Sequence, residues 1–229
     1  MSAALRSHLS KAVRNALRPR IALSASAVAR ISQSTAQCWK CGRHSATGAV
    51  LCTHCRCIQR PPVGTSFFHL FQIEPSFDLN SQQLSLRFRQ LQRELHPDRY
   101  ASASQTEREF SAEYSSLVNK AYRSLLDPYE RGLYLLSLRG REVKEDESDL
   151  HLGAEFLGEI MEFNEQIANR NVTQESLLEL RKQNQAKIEK VISEISTAFQ
   201  CNDFDNARLL LAKLKFYNNA ADKIKDKLQ

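Results

Sequence analysis

The chain has 229 residues, 42% of them hydrophobic and 25% charged, which is enough for one large core or two small ones and excludes a wholly disordered chain. Its net charge of +6 is unevenly spread: ten of the 32 Lys and Arg precede Glu74, the first acidic residue, leaving 22 against 26 Asp and Glu. The larger part is thus slightly acidic, which argues against nucleic-acid binding by the folded region, and no apolar run of about 18 residues marks a membrane span.

With 7 Gly and 6 Pro and abundant Leu, Glu, Lys, Arg and Gln, the composition favours an all-α protein. Residues 1–37 are rich in Ala, Ser and Arg. Leu5, Leu9, Val13 and Ala16–Leu17 recur every three or four residues, with Arg6, Lys11, Arg14 and Arg18 between them. An acid-free, amphipathic, Arg-rich start has the pattern of a mitochondrial transit peptide, with a disordered basic tail as the alternative.

Residues 38–60 hold five of the six cysteines. "CWKCG" and "LCTHC" place Cys38, Cys41, Cys52 and Cys55 in two CxxC pairs, which can close a tetrahedral sulfur site of the kind zinc prefers. So short a segment has little core of its own, so one bound structural ion would supply folding energy. Iron, or a redox dithiol, fits the same spacing. Four sulfur ligands leave no open coordination position, which favours a structural role over a catalytic one. Cys57 and His54 are spare ligands that could swap in, His44 reads as a loop residue, and Cys201 stands alone. Residues 61–66 form a linker.

From Phe67 the pattern is helical. "SFFHLFQI" is a short apolar segment closed by Pro75. Next, Asn80 or Ser81 is a suitable N-cap, and Leu84, Phe88, Leu91 and Leu95 share one helix face. "HPD" then stops this helix, because Pro97 disfavours helical torsions at His96 and lacks an N–H. Ser104 and Glu107 have capping-box spacing, and Phe110, Tyr114, Leu117, Ala121 and Leu125 form the next stripe. Pro128 suits the first turn of another helix, which should stop at Gly140. An acidic connector covers residues 142–150. Three longer periodic segments follow, with stripes Phe156–Ile160–Phe163–Ile167, Leu177 to Phe199, and Leu210 to Leu228. Short joints near 171 and 202 predict an antiparallel three-helix bundle.

The His-Pro-Asp triplet alone carries little information. Set between a basic helix and a capped partner helix, and followed by "LVNKAYRSLLDP", it resembles the J-domain, here residues 67–141. That resemblance implies that His96, Pro97 and Asp98, with Arg87, Arg89 and Arg93 on the preceding helix, engage a DnaK-type chaperone and stimulate its ATPase. The solvated-face reading of those arginines stays open. As a catalytic pair His96 and Asp98 lack a nucleophile, oxyanion donors or a pocket, and the chain has no phosphate-binding GxxxxGK[ST] loop, so no bound nucleotide is expected.

"LSLRFRQLQRELHPDRY", "SQTERE", "ERGLYLLSLRG" and "EFLGEIMEFNE" together resemble the HscB-type iron–sulfur cluster co-chaperones. The tetracysteine segment and leader resemble their mitochondrial form in animals. The resemblance implies that residues 151–229 bind the IscU-type scaffold, with contacts at Leu157, Met161, Glu162, Glu165 and Phe216. Gly158 occupies a further such position, where bacterial relatives carry a larger apolar residue. Periodicity is compatible: at about 100° per residue, Leu157 and Met161 lie roughly 90° and 130° off their stripe and Phe216 about 120° off its own. A wider buried face is the alternative. Further implications are a heat-shock chaperone of the mitochondrial matrix as partner, a matrix location with a cytoplasmic pool allowed, and recipient proteins bearing Leu-Tyr-Arg-type motifs. A homodimer through the metal segment is compatible, and a general J-domain folding co-chaperone is the alternative function.

Overall fold

The computed structural model describes residues 35–46, 49–142 and 152–229. The expected leader up to residue 34 and the acidic connector from 143 to 150 lie outside these. The described chain is helical apart from one small hairpin, β1 (Thr35–Gln37) paired antiparallel with β2 (His44–Ala46). The sequence gives these strands no alternating pattern of their own.

A single helical turn, α1 (Phe67–Leu70), precedes α2 (Ser81–Leu95). Asn80 is the cap of α2: its Oδ1 accepts from the N–H groups of Gln82 and Gln83, both at 3.0 Å. The helix ends where His96 adopts φ −58°, ψ 130°, the extended geometry that Pro97 imposes. A 3-10 turn over Pro97–Tyr100 leads to α3 (Gln105–Leu126), which opens with the full Ser104–Glu107 capping box. Pro128 then starts α4 (Pro128–Ser137), capped by Asp127. Gly140, at φ +69°, returns the chain behind it, with the N–H of Arg141 donating to Leu136 O.

The remaining helices are α5 (Ala154–Ala168), α6 (Gln174–Gln200) and α7 (Phe204–Leu228). Phe156, Ile160, Phe163 and Ile167 are all buried, as their spacing requires. Thr173 and Asp203 cap α6 and α7 and set the two tight joints. Leu180 of α6 meets Ile224 near the end of α7, while Phe199 at the other end of α6 faces Phe204 at the start of α7. The two helices therefore run antiparallel. Toward the end of α7 Ala220 is buried and Ala221 only partly covered, because a long helix drifts off any fixed four-residue step.

The hairpin helices and the bundle share one core. Phe77 stacks on Phe199 at 5.3 Å, and the Arg131 guanidinium lies 5.0 Å from the Phe77 ring centre while donating to Leu125 O at 2.6 Å. Asp78 accepts from Ser196 Oγ (2.7 Å) and Gln200 Nε2 (2.9 Å) of α6. At Gly132 of α4 a Cβ would stand 2.5 Å from Leu211 Cδ2, so any larger residue would force the Leu211 side chain to shift where α4 approaches α7. The same core takes in Ile58, fully buried, from the cysteine-rich segment. These contacts fix the angle between the two helical units, which no local pattern specifies.

Candidate functional site

The cysteine-rich segment consists of two knuckles built to one plan. In the first, the N–H of Cys38 donates to Arg43 O and the N–H of Gly42 to Cys38 O, both at 2.9 Å. In the second, the N–H of Cys52 donates to Cys57 O (2.9 Å) and that of Arg56 to Cys52 O (3.0 Å). Each knuckle turns through a left-handed residue, Gly42 at φ +69° and Arg56 at φ +59°. Glycine takes such torsions freely, whereas Arg56 is held in them by its knuckle. Backbone N–H groups then point at the sulfurs, from Lys40 and Cys41 toward Cys38 Sγ and from His54 toward Cys52 Sγ.

The Sγ atoms of Cys38, Cys41, Cys52 and Cys55 all lie within 4.8 Å of one another. Cys38 and Cys55 are 3.6 Å apart and Cys41 and Cys52 3.9 Å. A tetrahedron with ~2.3 Å metal–sulfur bonds has edges of about 3.8 Å, so the donor set fits a single ion. Burial opposes ionisation of Cys38, yet the N–H groups of Cys41 and Lys40, with Cys57 and Gln59, bring its thiol down to about 5. Neither His44 nor His54 brings a ring nitrogen into this group.

The cysteine-rich segment is not a free appendage. Trp39, between two of the cysteines, donates to Ile58 O at 2.7 Å and meets Phe110 of α3 edge-on at 5.8 Å. Lys40 pairs with Glu107 at 3.1 Å. The segment and α2 also border a groove of about 510 Å³ lined by Leu51, Arg56, Leu70, Arg87, Leu91 and Glu94. Sequence patterning missed these contacts, because a lone Trp and a lone Lys carry no periodic signal.

At the far end of α2, His96 and Asp98 project into solvent, with side-chain exposures of 58% and 89%. His96 Nδ1 accepts the Asp98 N–H at 3.3 Å and so caps the 3-10 turn. This contact turns Nε2 away from the turn. Arg99 Nη1 donates to Arg93 O and the Tyr100 hydroxyl to Glu94 O, tying the turn to the last carbonyls of α2. Arg89 and Arg93 are exposed and Arg87 half-buried. Among the described residues none of the three pairs with a carboxylate; Arg87 reaches Gln90 Oε1 and Arg89 its own helix at Ser85 O.

The bundle presents a second surface. Leu157 is 42% and Met161 64% exposed, one turn apart on α5, and Glu162 and Glu165 are exposed beside them. Phe216 of α7 is half-buried, its ring edge-on to Phe156 at 5.9 Å. It thus joins α5 one residue before Leu157. A Cβ on Gly158 would meet nothing within 4 Å, so a larger side chain has room there. Among the described residues no helix is long and apolar enough to cross a membrane.

Residues 152–225 match the family model of the HSCB C-terminal oligomerisation domain. The chain is 37% identical over 206 residues to the human iron-sulfur cluster co-chaperone protein HscB, covering 89% of this chain and 87% of the relative. It is 32% identical to a co-chaperone protein HscB homolog of Neisseria meningitidis, over 72% of this chain and 99% of that one. The crystal structure of human co-chaperone protein HscB superposes with a TM-score of 0.77 at 38% identity, over 84% of this chain and 98% of that chain.

Proposed function

This chain belongs to the HscB family of iron–sulfur cluster co-chaperones, and from that membership we propose that it is an adaptor between an IscU-type scaffold and a DnaK-type mitochondrial chaperone. What supports the reading most is that one continuous core carries two exposed surfaces of different chemistry: a basic helix ending in the His96–Asp98 tip, and an apolar pair, Leu157 and Met161, flanked by acids.

On this account Arg87, Arg89 and Arg93 meet acidic groups of the chaperone ATPase. Among the described residues they hold no carboxylate, so docking breaks no ion pair there. Asp98 engages a basic group there, and Pro97 keeps the tip from continuing as helix. His96 accepts the Asp98 N–H in the 3-10 cap, so the tip arrives with the backbone that carries the Asp98 carboxylate already set. The chemistry, ATP hydrolysis, takes place in the partner, and this chain acts as its activator rather than as a catalyst.

Leu157 and Met161, with Phe216, supply the apolar centre of the scaffold contact, and Glu162 and Glu165 its polar rim. The shared core then passes the loaded scaffold to the chaperone at a set distance, favouring cluster release to recipient proteins, those with Leu-Tyr-Arg-type motifs among them. Cys38, Cys41, Cys52 and Cys55 would hold one zinc ion, which supplies folding energy to the segment that Trp39 and Lys40 dock onto α3. The Arg-rich leader fits delivery to the mitochondrial matrix.

Competition tests the specialised role against general folding assistance. Full-length protein is expected to hold purified scaffold unaffected by an excess of unfolded model substrate. Displacement of the scaffold by that substrate would favour a general folding co-chaperone.

A further inference from the structure

The metal-binding segment carries five thiols for four coordination positions. Cys57 is 4% exposed and lies outside the CxxC pairs. Its Sγ stands 3.2 Å from Cys55 Sγ and 3.4 Å from Cys38 Sγ, and with the Cys38–Cys55 separation of 3.6 Å the three sulfurs form a nearly even triangle. These separations are as short as the edges between the four grouped cysteines. The Gln59 amide closes the arrangement, its Nε2 donating toward Cys57 Sγ (3.1 Å), Cys38 Sγ (3.4 Å) and Cys57 O (3.0 Å). An amide aimed at two sulfurs at once is the outer-shell partner expected of a thiolate ligand.

The backbone holds Cys57 in register. Its carbonyl takes the N–H of Cys52, and the next residue, Ile58, bridges to Leu51 and is anchored in the main core. By contrast Cys55 sits on the exposed turn of the second knuckle. Of the four grouped cysteines, Cys38 and Cys55 are the two that Cys57 touches, and Cys55 is the solvent-facing one.

We propose that Cys57 is a reserve ligand of this metal centre and takes the position of Cys55 when that exposed thiolate leaves. In the exchange the metal–Cys55 bond breaks and a metal–Cys57 bond forms. Cys57 gives up its thiol proton as it binds and the departing Cys55 sulfur takes one up, so the charge of the cluster is unchanged; the two sulfurs stand 3.2 Å apart. The Cys57 sulfur stands outside the group of four, and its backbone is already hydrogen-bonded to that of Cys52, so the exchange calls for its side chain to turn toward Cys41 and Cys52. The two ligand sets are Cys38, Cys41 and Cys52 with either Cys55 or Cys57. This inference rests on the tetracysteine metal reading.

The test uses the full chain, with Zn2+ stoichiometry from native mass spectrometry and Co2+ absorption as readouts. Wild type and Cys57→Ala should each bind one ion with the same Co2+ spectrum. Cys55→Ala should still bind one ion, within about tenfold of the wild-type affinity, with sulfur-to-metal absorption of four-thiolate strength. Cys55→Ala/Cys57→Ala should bind about a hundredfold more weakly than wild type, as should Cys52→Ala, since the Cys57 sulfur contacts those of Cys55 and Cys38 and not that of Cys52. Equal loss in Cys55→Ala and the double variant overturns the proposal. So does sulfur-to-metal absorption in Cys55→Ala that falls to about three-quarters and ignores Cys57. A wild type that binds no ion removes the metal reading itself, and this inference with it.

Discussion

Glu107 links the cysteine-rich segment to the helix that closes the His96–Asp98 loop, and its removal gives a quantitative expectation. One carboxylate oxygen accepts from Ser104 N–H (3.2 Å) and Ser104 Oγ (2.9 Å), and the other from Lys40 Nζ (3.1 Å). The Glu107 side chain is 10% exposed and that of Lys40 51%. The two bonds from Ser104 to a charged, nearly buried acceptor at a helix N-terminus should together be worth about 2 kcal/mol. The half-solvated Lys40 contact adds less. Glu107→Ala should therefore cost roughly 2 kcal/mol in urea unfolding, Glu107→Gln about half of that, since an amide oxygen still accepts from Ser104, and Lys40→Ala the least. The bond from the Ser104 hydroxyl, then Lys40, holds the Glu107 carboxyl below its ordinary value of 4.5 against the opposing effect of burial. A lowered folded value means that its stabilisation is complete above pH 4.5 and fades as pH falls through the folded value. The gap between wild type and Glu107→Ala should close in that acid range. A Lys40→Ala loss equal to that of Glu107→Ala would refute the reasoning, as would a gap that persists unchanged in acid.

Other surfaces give sharper contrasts. Leu157→Ser/Met161→Ser should change unfolding stability by no more than about 0.5 kcal/mol while weakening scaffold binding, read by calorimetry, by about tenfold or more. Phe216→Ala should impair both, costing about 2 kcal/mol of stability through its lost edge contact with Phe156. Gly132→Ala should destabilise by about 1 kcal/mol, overpacking against Leu211 outweighing the better helix propensity of alanine. In a Leu211→Ala background, where that space is cleared, the same change should instead stabilise in thermal unfolding by up to about 1 kcal/mol.

Elements governed by local chemistry were legible in the sequence. The Ser104–Glu107 box, Pro128 and Gly140 each fix a boundary through their own torsions or hydrogen bonds. The Phe156–Ile167 stripe is buried because helical spacing leaves it no other place against α6 and α7. The two CxxC pairs announced a sulfur cluster for the same local reason. Long-range contacts were not legible. Nothing in the spacing of Phe77 names Phe199 as its partner, and nothing around Gly132 names Leu211. Lys40 and Trp39 read as spacer residues between cysteines, yet they join the metal segment to α3. Cys57 was visible as a spare thiol, but only folding sets it 3.2 Å from Cys55. Leu157 and Met161 lay off their stripe by angle, and their exposure follows from α6 and α7 covering only one side of α5.

The adaptor account stands or falls on the chaperone's turnover. The decisive measurement is the steady-state ATPase rate of the purified mitochondrial DnaK-type chaperone with wild-type protein and with His96→Gln, each with and without scaffold. Wild type should raise the rate, and more so with scaffold. His96→Gln should leave it at the basal value while retaining wild-type helicity and scaffold affinity. Undiminished stimulation by His96→Gln, or none by wild type, would contradict the account.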